Sequence, residues 1–126
     1  MKLEPSSRIL LLDIETAPNI AFVWGLFDQN IAHNQVSQSS YILCWSAKWL
    51  HEKDIIFASC QDRRHYGRMI RLLHTLLDQA DVVIHYYGSK FDIPTVNKEF
   101  IKLTMPPPSP YKQVDLKFVV GRAFRF

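Results

Sequence analysis

Cysteine is scarce: Cys44 and Cys60 are the only two among 126 residues, and each sits inside an apolar stretch. Two such thiols give neither a disulfide framework nor metal-ligand spacing, so both read as core thiols of a protein kept in a reducing compartment. Long apolar runs are missing as well. None approaches the roughly 20 residues of a membrane span, and Met1-Lys2-Leu3-Glu4-Pro5 lacks the apolar segment of a secretion signal. These absences point to a soluble, cytoplasmic protein with no membrane partner. Internal repeats, heptads and low-complexity tracts are absent, and Pro106-Pro107-Pro108-Ser109-Pro110 is too short and too near the end to divide two domains. His33, His51, His65, His74 and His85 show no zinc-ligand spacing. No acidic residue follows Asp115.

What is present is apolar and aromatic. With 48% hydrophobic and 13% aromatic residues, the chain has enough to build one core over residues 1–126, which excludes disorder as its general state. Lys plus Arg exceed Asp plus Glu by 15 to 12, and the sequence pI of about 9.0 mildly favours a polyanionic partner.

Residues 8–14, Arg-Ile-Leu-Leu-Leu-Asp-Ile, form a short continuous apolar run suited to a central strand buried on both faces. Residues 20–27 and 41–50 are rich in aromatic and β-branched residues and, with 54–60, predict an antiparallel meander. That places Trp24, Trp45 and Trp49 at apolar strand positions, where packing is the default role of the ring. From 63 to 79 the period changes: Met69, Ile70, Leu72, Leu73, Leu76 and Leu77 recur at helical spacing, with Arg64, Arg68 and Arg71 on another face. Such an arginine stripe either tracks a phosphate backbone or is simply a solvated helix face. Residues 81–86 predict another buried strand and 92–103 a helix with Val96, Phe100 and Leu103 inward. Residues 113–116 predict a short strand, and a helix begins at Lys117. The order β-β-β-β-α-β-α-β is an α/β sandwich on a mixed sheet.

The chemistry centres on Asp13-Ile14-Glu15. Side chains alternate along a strand, so Asp13 and Glu15 share one face at the strand's carboxyl end while Ile14 takes the other. That end is where open α/β sheets bind ligands, and Mg²⁺ takes oxygen ligands from a few carboxylates plus substrate phosphate. By itself, Asp-x-Glu also fits a strand end with solvated acids. Asp92, before Ile93-Pro94, likewise fits a helix N-cap. The two roles are compatible, since one carboxylate oxygen can bond an amide while the other faces a metal.

Leu-Leu-Leu-Asp-Ile-Glu-Thr early in the chain, followed by a strand, Tyr-Tyr-Gly-Ser-Lys-Phe-Asp-Ile-Pro and a helix, resembles the DnaQ-like (DEDD) 3′–5′ exonucleases of the ribonuclease H-like fold. Asp13 and Glu15 match the first motif of that family and Asp92 the second; Tyr111-Lys112-Gln113-Val114-Asp115-Leu116 resembles the strand that follows. The likeness covers essentially the whole chain and is strongest to stand-alone bacteriophage exonucleases, which would place the protein in the bacterial host cytoplasm. It implies a metal-dependent exonuclease hydrolysing phosphodiester bonds from a single-stranded 3′ end, DNA in the first instance. It also implies two Mg²⁺ (or Mn²⁺) ions bound by Asp13, Glu15 and Asp92, on a mixed sheet flanked by helices. Thr16 would lie against the terminal nucleotide, and His85, Tyr87, Lys90 and Phe91 would line the approach to Asp92, contacting phosphate or stacking on a base. Tyr86 belongs to the same approach, with packing in the core as the alternative for it and for Phe91.

The resemblance stops at the third motif, which supplies a His or Tyr base and a fourth carboxylate. Residues 116–126 contain no acid, His or Tyr. Asp115 is a minor candidate for the missing ligand, because its family counterpart lies in the intervening strand. Three expectations remain open: a C-terminally truncated exonuclease domain, one part of a split enzyme completed by a second polypeptide or by self-association through the incomplete C-terminal edge, and a non-catalytic nucleic-acid- or protein-binding module. A missing helix would leave apolar surface around Phe118, Phe124 and Phe126.

Overall fold

The apolar run near the start is β1, Ile9–Thr16, and it occupies the middle of the sheet. The computed structural model describes residues 6–124; the readings of residues 1–5 and of Phe126 lie outside the described residues. After β1 come β2 (Ile20–Ala21), a 3-10 turn (His33–Gln35), β3 (Val36–Gln38), β4 (Ile42–Trp49) and β5 (Ile56–Ser59). The second half contains α1 (Arg63–Gln79), β6 (Val82–His85), α2 (Asp92–Lys102), β7 (Lys112–Asp115) and α3 (Leu116–Ala123). The five-stranded sheet runs β5-β4-β1-β6-β7, antiparallel on the β4 side and parallel on the β6 side. It is the mixed α/β sheet flanked by helices that the sequence predicts.

Alternation along β1 sends Leu10, Leu12 and Ile14 to one face, where they bury with Trp45, Ala47 and Trp49 of β4. The apolar stripe of α1 (Met69, Ile70, Leu73, Leu76, Leu77) and that of α2 (Ile93, Val96, Phe100) close over this face. Leu72 is the exception in α1 and faces outward. Asp62 starts α1 by accepting the His65 N–H at 3.1 Å, satisfying one otherwise orphaned amide. Ser109, through its N–H and its hydroxyl, donates to Asp78 Oδ1 at 2.8 and 2.9 Å, strapping the proline-rich segment onto α1. Cys44 and Cys60 are free and only half-buried, short of the full burial expected of core thiols. Among the described residues, no helix is long and apolar enough to cross a membrane.

The expected strand at residues 20–27 is mostly not a strand. Only Ile20 and Ala21 pair, with Gln38 and Val36, in a separate two-stranded sheet. Strand propensity needs a partner, and β1 is already paired with β4 along one edge and with β6 as far as Leu11 on the other. Beyond Ala21 the chain forms a loop: the Phe22 N–H donates to the Gln35 carbonyl at 2.8 Å and Gln35 Nε2 to the Phe22 carbonyl at 3.0 Å, while Ser37 Oγ donates to the Ile20 carbonyl at 3.1 Å. Hence the meander is β1-β4-β5, and Trp24 is 83% exposed while Trp45 and Trp49 are buried. Acrylamide is therefore expected to quench one tryptophan readily and spare two. Trp24→Ala should remove the accessible component and change the unfolding free energy by no more than about 0.5 kcal/mol; unchanged quenching in that variant would mean that the ring is packed.

Candidate metal and nucleic-acid site

Asp13 and Glu15 are exposed on the sheet face opposite the core, beside Ser46 and Cys44 of β4, and Ile14 between them is buried. β6 pairs with β1 only as far as Leu11 opposite Ile84, so the last part of β1 stands clear of a strand on that side. The Asp92 carboxylate lies near the Ile14 amide there, which favours its charged form. This is the crevice beyond the carboxyl ends of two parallel strands, the usual ligand position in an open α/β sheet. A cavity of about 390 Å³ opens on the same face, lined by Leu11, Asp13, Ser46, Lys48, Ile84 and Tyr86 among others.

Asp92 does not cap α2. Phe91 holds the cap position and makes no side-chain cap bond, and Asp92 is the first helical residue. The chain is already wound by then: the Phe91 N–H donates to the Tyr87 carbonyl at 3.3 Å and the Ile93 N–H to that of Gly88 at 2.8 Å. The Asp92 side chain turns to β1 instead. It is only 9% exposed, and burial, followed by the nearby charge of Asp13, pushes its pKa above the ordinary carboxylate value.

Among the described residues, no three His, Cys, Asp or Glu side chains form a group that could hold a metal ion by themselves. The donor set nevertheless suits Mg²⁺ or Mn²⁺. These are hard ions that keep several waters and use one or two carboxylates plus substrate phosphate rather than a closed protein cage. A buried Asp92 that repels Asp13 is a pair whose electrostatic cost a divalent cation would offset.

The model of the RNase_H superfamily matches residues 10–124. The chain belongs to that superfamily. Among solved structures, a family B DNA polymerase from the hyperthermophilic archaeon Pyrobaculum calidifontis is similar, with a TM-score of 0.64 at 16% identity over 96% of this chain and 17% of that one. At that identity the likeness shows the fold, and this chain spans about a sixth of the polymerase's length. No curated protein matches. Membership of the RNase_H superfamily supports a nuclease-type function, and nucleases of this superfamily generally use divalent metals.

Within this RNase_H superfamily chain, Thr16 is the exposed last residue of β1, beyond a register shift after Glu15. Lys90 is exposed, and the rings of Tyr86 and Phe91 are each 61% exposed rather than core. His85, expected to contact substrate, is placed differently from these. It is buried, its Nε2 lies 2.8 Å from Gln113 Oε1, and its Nδ1 accepts the Gly88 N–H at 3.0 Å. Both ring nitrogens are thus engaged by the protein, which leaves neither for a phosphate. Gly88 lies directly on the imidazole, where any Cβ would collide with it, so these two residues brace the loop from beneath.

Asp115 is likewise engaged by the protein. Its carboxylate accepts the Tyr87 N–H at 2.7 Å, the Ser89 hydroxyl at 2.5 Å and the Lys117 N–H at 3.1 Å, and it caps α3. Burial works against its charge, but the bonds from Ser89, Tyr87 and Lys117 outweigh it and hold the pKa below the ordinary value. Asp115 is a buckle between β7 and the loop before Asp92. The sequence signal was an Asp directly before a helix. Arg64, Arg68 and Arg71 are exposed on α1, which covers the face opposite Asp13 and Glu15.

Proposed function

We propose that the chain is a metal-dependent 3′–5′ exonuclease of the DnaQ-like (DEDD), phage-type kind, a single RNase H-like domain acting on single-stranded 3′ ends, DNA in the first instance. The observation that carries this reading is the crevice at the end of β1, where Asp13 and Glu15 share a face and the buried Asp92 is strained by Asp13. Asp13, Glu15 and Asp92 would hold two Mg²⁺ or Mn²⁺ ions, which when bound activate the attacking water and neutralise charge on the phosphate in an in-line displacement. The remaining work falls to the chain's own groups. Asp92 is held beside Asp13 and the Ile14 amide at the end of β1. Thr16 meets the terminal nucleotide, Lys90 a phosphate, and Tyr87 and Phe91 present rings to the bases.

A second reading, a binding module or one part of a split nuclease, is favoured by one observation: residues 116–126 carry no acid, His or Tyr. The deciding experiment is degradation of a 5′-labelled single-stranded oligonucleotide in Mg²⁺ or Mn²⁺ by the chain and by Asp13→Ala. A ladder shortening from the 3′ end and lost in the variant is expected. Hydrolysis that persists in a pure Asp13→Ala preparation sinks the exonuclease reading, and a folded wild type that makes no ladder favours the binding module.

A further inference from the structure

Tyr87 is a non-glycine residue with φ of 58°, in the left-handed region. Such a backbone costs about 1–3 kcal/mol and persists only where the surroundings hold it. Here the holder is Asp115, which accepts the Tyr87 N–H and ties Ser89 through its hydroxyl. The strain is not repaid by core burial. The Tyr87 ring is only half-buried; it meets the Phe91 ring edge-on at 4.8 Å and that of Phe118 at 6.3 Å, rings that are 61% and 50% exposed. Lys117 places its ammonium 3.4 Å from the centre of the Tyr87 ring, and α3, which supplies Lys117 and Phe118, has no buried residue among those described. The loop and the first turn of α3 are thus clasped together to present three rings and a cation at the surface, one residue from Asp92.

We propose that Phe118 and Lys117 of α3 complete, with Tyr87 and Phe91, a stacking subsite for a nucleotide of single-stranded nucleic acid. The subsite rests on the nuclease reading for its ligand and extends it to α3. Exposed aromatic faces stack bases irrespective of sequence, each worth about 1–3 kcal/mol, and a lysine beside them neutralises the adjoining phosphate. Asp115 is the positioning residue: its charge is enclosed by Tyr87, Ser89 and Lys117 donors, so it shapes the platform without facing the ligand.

The test is fluorescence anisotropy of labelled single-stranded DNA and RNA oligonucleotides in EDTA, where no metal-dependent cleavage intrudes. Phe118→Ala is expected to weaken binding roughly 5- to 150-fold, and Phe118→Trp to retain it. Lys117→Ala should make the dependence of log K on log salt shallower by about 0.7. Both side chains are exposed, so circular dichroism should be unchanged. A loss with either oligonucleotide supports the subsite and names its preferred sugar. Wild-type affinity in Phe118→Ala together with an unchanged salt slope in Lys117→Ala overturns it, as does a wild type that binds neither oligonucleotide. The two readings separate cleanly: Phe118-dependent binding without a ladder defeats the exonuclease and keeps the subsite, whereas a ladder with Phe118-independent binding does the reverse.

Discussion

Asp92→Asn is expected to abolish metal-dependent hydrolysis, on the order of 10³-fold or more, and at the same time to raise the Tm of the metal-free protein. Both effects have one origin. Burial and the charge of Asp13 raise the pKa of Asp92 in the folded state, so folding favours its neutral form. The stability associated with that proton is fully present below the ordinary carboxylate value near 3.9 and is lost as pH rises through the raised folded value. At neutral pH the ionised group opposes folding. Asparagine keeps an oxygen for the Ile14 amide and removes the charge. Thermal unfolding in EDTA should therefore show wild type losing Tm as pH rises above the ordinary carboxylate value, with a flatter curve for Asp92→Asn. Saturating Mg²⁺ should reverse the order, because wild type offers the cation one more carboxylate than the variant. Asp115, whose pKa is lowered, acts in the opposite window, losing its contribution below the ordinary value. Superimposable wild-type and variant curves in EDTA would show that Asp92 carries no such strain.

Trp45→Ala is expected to bring the largest loss of stability. The ring is 1% exposed, lies opposite Ile14 of β1 and Ala58 of β5, and donates its indole N–H to the Met69 carbonyl at 3.0 Å. Truncating a buried tryptophan costs about 3–5 kcal/mol, against a total of about 5–15 kcal/mol for a typical domain. Trp45→Phe should cost less, about 1–3 kcal/mol, because it keeps a ring and loses the donor. Urea unfolding followed by far-ultraviolet circular dichroism measures both without relying on the fluorescence of the deleted ring. A midpoint for Trp45→Ala within error of wild type would contradict the packing of α1 on β4.

Where a segment's pattern and its burial agree, the sequence was readable. β1 and α1 lie where continuous apolar and helical periodicity place them, and the alternation of Asp13, Ile14 and Glu15 follows from the pleat alone. Phe22, Trp24 and Phe27 defeat the same logic, because they are apolar and yet exposed, and no periodicity reports the absence of a partner strand. The surroundings of His85 and Asp115 were hidden for another reason. Both carry reactive groups near the second motif, but the Gly88 and Tyr87 amides that occupy them come from a loop whose path depends on a left-handed residue. Asp92 reads from the sequence as a helix cap, whereas the structure puts Phe91 at the cap and the Asp92 carboxylate beside Asp13 and Ile14 of β1.

The central position of β1 has a consequence for how the chain reaches its fold. The hub of the sheet is made well before its parallel partner: the Arg8 amide bonds the Asp81 carboxylate across 73 residues of chain. Until β6 has left the ribosome, β1 can pair only with β4, and its β6 edge stays open. Pairings of such long sequence separation form slowly, and an unpaired apolar strand edge in a nascent chain is the kind of surface that chaperones cover.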